Sequence, residues 1–367
     1  AQWRAFRAWV RKRRWEAAGR AIGMISGGLD STLAVALVRR QGIEVKAINF
    51  YTGLCITETQ RRKGGRPDGS VPQNEALRAA ADLEVDIEYV DISQSGYFDM
   101  LVKPRWGYGA NANPCVDCRV FMMRKAKEIM EAEGAAFVFT GEVLGQRPKS
   151  QRRDTLRIVE RESGLSGRLV RPLSARLLEP TIPEKEGLLD RSRLGDISGR
   201  SRKAQMALAR ELGIVEWPQP AGGCCFLTDE SFSEKFFDLL DARERAGEGR
   251  HLDREDVVLL STGRRIRLSP GAMLIVGRTE VEDVLLEKFT EGRARLEGKD
   301  VQGPVALVEG KPTWEERQLA ARIVARYGKG KDRPLVEVEW RESDGETEVY
   351  AVEPEKDDAK IESLRVG

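Results

Sequence analysis

The sequence predicts an α/β protein with a doubly wound parallel sheet, followed by a smaller α+β domain. Apolar runs typical of strands, at 21–25, 43–51 and 85–92, alternate with segments that have a helical pattern. A further apolar run at 136–140 follows a helical pattern over 121–133. Strands that alternate with helices indicate a parallel sheet, in which ligands bind at the carboxyl ends of the strands.

Changes in composition divide the chain into four expected regions. These are a basic and aromatic arm at 1–20, the α/β domain at 21–230, an α+β domain at 231–354 and a flexible tail at 355–367. Interleaved arginine and tryptophan in the arm suit contacts to phosphates and bases. A helix that packs its aromatic side chains is an equal alternative, and a transit peptide is a third. Two strands around a Pro-Gly turn are expected over 264–278.

The overall composition excludes several classes of protein. The 367 residues include 41% hydrophobic and 33% charged side chains, which suits a buried core and a well-solvated surface. No apolar run is long enough to span a bilayer and no secretory signal is evident, so no membrane partner is expected. Five unevenly spaced cysteines argue against a disulfide framework and predict a reducing cytoplasm. A single histidine, His251, nearly excludes histidine-based metal or triad chemistry.

A loop rich in serine and glycine follows the first predicted strand. Its sequence is Ser26-Gly27-Gly28-Leu29-Asp30-Ser31. A strand, a glycine-rich turn and a helix N-terminus together form an anion site, because the glycines let the backbone approach a phosphate and the helix dipole favours its charge. The loop lacks the Gly-Lys-Ser/Thr ending of a Walker A motif, which leaves a cradle for pyrophosphate rather than for γ-phosphate transfer. The alternative is an ordinary strand-to-helix turn.

The cysteines form a second constellation. Cys115 and Cys118 make a C-x-x-C motif before a predicted helix, and Cys224 and Cys225 lie far downstream in a glycine-flanked loop. An iron–sulfur cluster could use the C-x-x-C pair and one later cysteine, and a structural Zn2+ could use all four. A third interpretation is a redox pair in which one cysteine carries a persulfide, and a fourth is a set of buried, unreactive cysteines. We expect Arg119 and the helix N-terminus to help keep the thiolates deprotonated.

These motifs carry a resemblance to a known family. The loop at 26–31 is similar to the PP-loop of the ATP pyrophosphatase superfamily, whose members cleave ATP between the α and β phosphates and adenylate a carbonyl oxygen. Over 21–230 the chain resembles the tRNA-thiolating branch, the 2-thiouridine and 4-thiouridine synthetases. Segments 113–118, 140–151, 171–174 and 220–224 carry this resemblance. Segment 255–280 resembles the RNA-binding domain of ribosome-quality-control proteins.

The resemblance implies an ATP-dependent tRNA uridine sulfurtransferase, which replaces a uridine carbonyl oxygen with sulfur. One group of the branch holds a 4Fe–4S cluster with a C-x-x-C motif and a distant third cysteine, which implies Cys115, Cys118 and Cys224 as ligands. Relatives have an aliphatic residue after that third ligand, so Cys225 departs from the pattern and is the alternate ligand. Three protein thiolates would leave one iron open to an exogenous sulfide.

The remaining site residues follow from the loop and from the resemblance. ATP, with Mg2+, is expected on Ser26, Gly27, Gly28, Asp30, Ser31 and Gly141. The expected catalytic residues are Asp30, Cys115, Cys118 and Cys224. Asp30 would hold the metal or brace the loop. The candidates for contacts to ATP or the target nucleotide are Gln146, Arg147, Ser150 and Gln151, with a solvated loop as the alternative.

The expected partners are tRNA and a sulfur donor, either free sulfide or a sulfur-carrier protein, and a homodimer is left open. Other functions predict different behaviour. An amide-forming ligase of the same superfamily needs neither basic arms nor a cluster. A thiolase that uses a cysteine persulfide needs no cluster. A non-catalytic RNA-binding protein with structural zinc releases no AMP.

Overall fold

The computed structural model describes residues 19–62, 74–217 and 225–367, which form two compact units. The first unit contains the described residues 19–52, 74–109 and 114–217. The second unit contains 53–62, 110–113 and 225–367. Most of the expected N-terminal arm and the expected ligand Cys224 lie outside the described residues.

Strands and helices alternate along most of the described chain. The strands are β1 (Arg20–Met24), β2 (Glu44–Tyr51), β3 (Asp86–Asp91), β4 (Phe137–Thr140), β5 (Leu169–Val170), β6 (Arg264–Ser269), β7 (Ala272–Val276), β8 (Ala294–Gly298), β9 (Ala306–Gly310), β10 (Val336–Arg341), β11 (Thr347–Val352) and β12 (Arg365–Val366). The α-helices are α1 (Leu29–Arg39), α2 (Ile56–Arg62), α3 (Glu75–Asp82), α4 (Phe98–Val102), α5 (Cys115–Ala132), α6 (Arg153–Glu162), α7 (Ile182–Lys185), α8 (Lys203–Glu211), α9 (Glu230–Arg245), α10 (Arg254–Leu260), α11 (Glu280–Leu286), α12 (Trp314–Tyr327) and α13 (Asp358–Leu364).

The first unit is built on a parallel sheet, as the sequence predicts. Its five strands lie in the order β3-β2-β1-β4-β5, and every pair is parallel. In the register of the sheet, Met24 at the end of β1 lies beside Ile48 of β2 and Thr140 of β4. The loop after β1 and the loop after β4 therefore leave the same edge of the sheet, which is where ligands bind in such folds.

The central strands and the helix after β1 form the core of this unit. Ala21 and Ile22 of β1 and Phe137 and Phe139 of β4 are fully buried. Such uninterrupted apolar runs are typical of strands that helices cover on both faces. Helix α1 is buried at nearly every position, so the core holds in place the helix that begins just after the serine- and glycine-rich loop.

The second unit contains a separate antiparallel sheet, which confirms the expected α+β domain. Its seven strands lie in the order β11-β10-β8-β9-β7-β6-β12. Strands β6 and β7 form the hairpin expected around Pro270 and Gly271. One face of the sheet packs against α12 through residues such as Ala320, Ile323 and Val324, and Trp340 is fully buried in the same cluster.

The division into two units differs from the single boundary expected near residue 230. Residues 53–62 and 110–113 belong to the second unit, although they precede much of the first unit in sequence. Long-range hydrogen bonds account for this, because Phe226 N–H donates to the Leu54 carbonyl at 3.0 Å and the Ala112 N–H donates to Ser233 Oγ at 3.0 Å. Periodicity along the sequence carries no signal for such pairings.

The expected flexible tail is instead ordered. Residues 358–364 form α13, and β12 pairs with β6 so that Val366 lies beside Arg265. Ile361 is buried in the apolar cluster, and the buried carboxylate of Glu355 forms an ion pair with Arg322 at 3.2 Å. A few well-placed apolar side chains hold this segment despite its high charge. Within the described residues, no helix is long and apolar enough to cross a membrane.

Candidate active site

The loop at the end of β1 is closed by its own hydrogen bonds. Gly27 has a φ of +77°, and a Cβ built there would lie 2.2 Å from the carbonyl carbon of Glu75, so only glycine fits. The Ser31 hydroxyl donates to the Gly28 carbonyl at 2.9 Å and accepts from the Ser26 N–H at 3.2 Å. The serine at the end of the motif therefore fixes the shape of the loop.

Helix α1 begins directly after this loop without a capping side chain. Gly28 is its N-cap, with extended φ and ψ of −75° and 157°, and no side chain of the described residues caps the helix. The first helical bond runs from the Thr32 N–H to the Gly28 carbonyl at 3.1 Å. The N–H groups in the first turn of α1, before Thr32, thus have no partner within the helix. Together with the helix dipole they can bind an anion.

Gly141, at the end of β4, lies against the first turn of α1. A Cβ built on Gly141 would be 2.5 Å from the backbone carbon of Asp30 and 2.5 Å from the nitrogen of Ser31. The absence of a side chain allows the two backbones to approach. The structure therefore brings Gly141 and the loop together, as the sequence predicts from the edge of the sheet.

The two carboxylate oxygens of Asp30 lie in different environments. Oδ2 accepts a hydrogen bond of 3.0 Å from Nε2 of Gln146 and lies 3.8 Å from the guanidinium of Arg202. Oδ1 is buried and has no hydrogen-bond partner among the described residues. A buried oxygen of this kind is suited to a cation or a donor that the protein does not supply. The sequence suggests no such role for Arg202, which lies in a broadly basic segment.

The four residues expected to contact the substrate lie in the loop after β4, but they differ in burial. Gln151 is only 4% exposed, and its Oε1 accepts from the Arg147 N–H at 3.1 Å. Ser150 is similarly buried, at 5%. Gln151 therefore supports the loop from inside, and Ser150 lies buried within it. Gln146 contacts Asp30 and Arg147 is exposed, so these two remain the candidates for ligand contacts.

The C-x-x-C pair begins helix α5. Cys115 and Cys118 are both partly buried and lie one helical turn apart. Asp117, between them, accepts from the backbone N–H groups of Arg105 at 2.7 Å and Trp106 at 3.1 Å. These bonds tie the preceding loop to the start of α5 and hold the two cysteines in place.

The environment of Cys118 differs from the expected one. The Tyr97 hydroxyl lies 3.2 Å from its Sγ. Burial raises the pKa of the Cys118 thiol, and the Tyr97 hydroxyl and the Arg119 charge oppose this shift without overcoming it. Arg119 thus acts in the expected direction, but burial has the larger effect on the pKa of the Cys118 thiol.

A buried ion-pair network lies between the cysteines and the end of β4. Glu142 and Arg171 are 2% and 4% exposed, and the Arg171 Nε donates to Glu142 Oε2 at 3.2 Å. Arg171 also pairs with Glu160 at 3.2 Å, and the Arg119 Nε lies 3.7 Å from Glu142 Oε1. Glu142 follows Gly141 and Arg119 follows Cys118, so this network couples the two predicted halves of the site. Composition alone gives no signal for it.

Cys225 faces Cys55 in the second unit. The two residues form an antiparallel bridge, and the Phe226 N–H donates to the Leu54 carbonyl at 3.0 Å. This bond flanks the cysteines, which makes them a non-hydrogen-bonded pair, the type in which Cα atoms approach to about 4.5 Å. Among residues 19–62, 74–217 and 225–367, no group of three or more His, Cys, Asp or Glu residues is placed to hold a metal ion.

Two protein families match separate parts of the chain. Residues 16–176 match the family described as thiamine biosynthesis protein (ThiI), and residues 263–364 match the NFACT protein RNA binding domain. The first match includes the loop at 26–31, the C-x-x-C pair and the loop after β4. The second match lies within the second unit.

Several individual proteins are also similar to this chain. The tRNA-specific 2-thiouridylase MnmA of Methylobacterium sp. (strain 4-46) is 26% identical over 281 residues, which cover 72% of this chain and 68% of that protein. A probable tRNA sulfurtransferase of Thermococcus kodakarensis is 27% identical over 168 residues, but the match spans only 37% of its length and 42% of this chain. The U34-tRNA thiolase NcsA of Methanococcus maripaludis, solved with its 4Fe–4S cluster, aligns with 70% of this chain and 78% of its own at 14% identity and a TM-score of 0.30.

Proposed function

Since the chain combines a PP-loop domain of the tRNA-thiolating family with an RNA-binding domain of the NFACT family, we propose that it is an ATP-dependent tRNA uridine sulfurtransferase. It adenylates a uridine carbonyl oxygen and replaces that oxygen with sulfur. The observation that carries the proposal is the uncapped start of α1, beside which Oδ1 of Asp30 is buried without a partner among the described residues.

The loop and the first turn of α1 would hold the phosphates of ATP. Backbone N–H groups at a helix N-terminus bind phosphate oxygens, and Gly27 and Gly141 keep the surrounding backbone close. No lysine follows the loop to neutralise the departing pyrophosphate. The carboxylate of Asp30 is an oxygen ligand suited to Mg2+, which would neutralise that charge. Gln146 and Arg202 hold Oδ2 and leave Oδ1 for the cation.

The sulfur is delivered by cysteines. Cys115 and Cys118 fit two ligand positions of one metal centre, because they lie one turn apart at the start of α5. We propose Cys224 as the third ligand. These three thiolates would hold a 4Fe–4S cluster, whose chemistry when bound would be to supply sulfide for the exchange. The sulfide would come from solution or from a carrier protein.

The acceptor is a uridine of tRNA. A ring carbonyl can reach the α-phosphate of ATP only when its base is unpaired or flipped out of the stack. Attack by the carbonyl oxygen on the α-phosphate releases pyrophosphate and makes AMP the leaving group. The exposed Arg147, next to the residue that contacts Asp30, would hold a phosphate of that nucleotide. A reducing cytoplasm suits both the thiolates and this substrate.

A persulfide enzyme without a cluster is the second candidate, and the pairing of Cys55 with Cys225 favours it. In this route a persulfide on Cys225 attacks the adenylated carbon and expels AMP. The Cys55 thiolate then attacks the sulfur of Cys225, which releases the thiolated base and leaves a Cys55–Cys225 disulfide. An external thiol must reduce that disulfide before the next turnover.

Anaerobic purification followed by metal analysis and a thiolation assay tests the proposal. We expect a brown protein with absorbance near 400 nm and about four irons per chain. With tRNA, ATP and sulfide it should release AMP and form a thiolated uridine. Zinc without iron would exclude the cluster. Iron-free protein that accepts sulfur from a persulfide donor and requires Cys55 would favour the second candidate, whereas a lack of both AMP and thiolated uridine would exclude the enzyme.

A further inference from the structure

Helix α6 of the first unit carries a stripe of arginines along one face. This arginine stripe consists of Arg153, Arg157 and Arg161, which are spaced four residues apart and are all exposed. Residues at i, i+4 and i+8 share one face of a helix, and each lies about 6 Å further along its axis. Leu156 and Val159 bury the opposite face, so the stripe faces away from the core and is accessible to a partner.

Most of the charge on the arginine stripe is not neutralised within the protein. Among the described residues, neither Arg153 nor Arg157 forms an ion pair, and Arg153 donates to a neutral acceptor, the Leu177 carbonyl, at 2.9 Å. Arg161 pairs with its neighbour Glu162 at 2.8 Å. The first two arginines therefore present their full charge to a partner.

The acidic residues of the surrounding segment have partners outside the stripe. Over 147–161, six residues are arginine or lysine and two are acidic. Asp154 lies 3.4 Å from Arg152, and Glu160 pairs with the buried Arg171 at 3.2 Å. The segment therefore has an excess of positive charge on the exposed face of α6.

A cavity of about 310 Å³ lies along the arginine stripe. All three arginines line it, together with Lys185 at the end of α7. Lys185 is exposed and forms no ion pair among the described residues. Of the carboxylates that line the cavity, Glu184 pairs with Arg191 at 2.6 Å, and Glu179 is exposed. The cavity thus brings a cation of a second element to the stripe.

The arginine stripe begins beside the candidate active site. Helix α6 begins two residues after Gln151, at the end of the loop in which Gln146 contacts Asp30. The Thr155 hydroxyl donates to the Lys149 carbonyl at 2.9 Å and ties the first turn of α6 to that loop. A strand bound along α6 would therefore lead directly to the loop that contacts Asp30.

We propose that the arginine stripe and Lys185 bind the phosphate backbone of the tRNA next to its target nucleotide. Guanidinium groups bind phosphate oxygens through paired hydrogen bonds. Evenly spaced cations suit a polymer with evenly repeated charges better than an acidic protein, whose carboxylates are irregularly spaced. Such contacts position the RNA without reading its sequence. The identity of the partner rests on the proposed function, which supplies a tRNA to this edge of the sheet.

Binding of fluorescent tRNA to the full chain, measured without ATP at several salt concentrations, tests the stripe. Arg157→Gln should weaken binding and reduce the slope of log K against log salt by about one, and Arg153→Gln/Arg157→Gln by about two. Arg157→Lys retains the charge and should restore most of the slope. Arg39→Gln removes an exposed arginine at the other end of α1 from the loop and should bind as the wild-type protein does. Unchanged Tm values verify that the variants fold.

The outcomes separate the stripe from the proposed function. Wild-type slopes in Arg157→Gln and in the double variant would overturn the stripe, even if the protein thiolates tRNA. Reduced slopes in a protein that releases no AMP would support the stripe and exclude only the enzyme. If poly-glutamate displaces the labelled tRNA as readily as unlabelled tRNA of equal charge does, the surface binds an acidic protein and the proposal fails. A wild-type chain that binds no tRNA would contradict both.

Discussion

The side-chain amide of Gln146 donates a hydrogen bond of 3.0 Å to Oδ2 of Asp30. The two residues are separated by 116 positions in the chain, and the bond ties the loop after β4 to the first turn of α1. It holds one carboxylate oxygen and leaves Oδ1 buried without a partner among the described residues. This arrangement presents a single, oriented oxygen beside the proposed phosphate site.

Asp30→Ala should reduce the rate of AMP formation by about 10²- to 10³-fold, the range for loss of one preorganised electrostatic group. Gln146→Ala should have a smaller effect, because the carboxylate remains but is less well oriented. The measurement is AMP release with tRNA and sulfide, over a range of Mg2+ concentrations. Asp82→Ala, at an exposed position on α3, serves as the control. Full turnover by Asp30→Ala would remove the loop from the mechanism.

Single alanine variants of the cysteines identify the cluster ligands. Cys115→Ala, Cys118→Ala and Cys224→Ala should each lose most of the bound iron, because three thiolates are needed to hold a cluster with one open iron. Cys225→Ala should retain it and acts as the matched control. Iron content and absorbance near 400 nm are measured on anaerobically purified protein. Loss of iron in Cys225→Ala alone would transfer the third ligand position to Cys225.

Gly141→Ala should destabilise the first unit and weaken ATP binding together. The added Cβ would lie 2.5 Å from backbone atoms of Asp30 and Ser31, which cannot rotate away. Overpacking of this kind costs about 1–3 kcal/mol. Denaturant unfolding and an ATP titration measure the two effects. Gly271→Ala, where no atom lies within 4 Å of the new Cβ, should change neither. Unaltered ATP affinity in Gly141→Ala would show that the close approach is unnecessary.

Arg171→Met should lower the free energy of unfolding by about 3–5 kcal/mol, because it leaves the buried carboxylate of Glu142 without its main partner. Adding Glu142→Gln should recover part of the loss, since the uncompensated charge is then removed. Arg176→Met breaks an exposed ion pair with Asp196 in the same unit and should cost less than about 1 kcal/mol. Equal effects of Arg171→Met and Arg176→Met on unfolding would contradict the buried network.

The stability gained by Lys235→Met should depend on pH. The pKa of Lys235 is lowered from 10.5 to about 8 by burial and by Arg278 on the loop after β7, Arg265 on β6 and Arg365 on β12, while Asp229 opposes them. Below pH 8 the lysine is charged in both states, so the penalty of burying it is fully present. As the pH rises from 8 toward 10.5, Lys235 loses its proton in the folded state before it does so in the unfolded state. The cost of burying the charge, about 3 kcal/mol in the free energy of unfolding, is then removed.

Urea unfolding measures that difference. Below pH 8 the free energy of unfolding of Lys235→Met should exceed that of the wild-type protein. Near pH 10.5 this difference should be smaller by about 3 kcal/mol. Lys288→Met, which removes an exposed lysine of the same unit, should differ from the wild-type protein by the same amount throughout this range. A constant difference for Lys235→Met would mean that the lysine is not held in a buried state.

Local sequence patterns were sufficient to predict the parallel sheet, the loop at 26–31 and the helical position of the C-x-x-C pair. Strands that are buried on both faces require uninterrupted apolar runs, which are visible in the sequence. Glycines mark backbone conformations that other residues rarely adopt, as at Gly27. Cys115 and Cys118 are neighbours on a helix because of their spacing alone. Such features depend on residues close together in the chain, so each leaves a readable signal.

Only the tertiary structure decided which distant residues meet. The bond between Gln146 and Asp30, the burial of Gln151 and the pairing of Glu142 with Arg171 all depend on how strand ends and helices converge. The order of the segment after residue 355 and the burial of the Lys235 charge have the same origin. A charged or polar residue is exposed by default, and only packing between remote elements shows which ones the fold has buried.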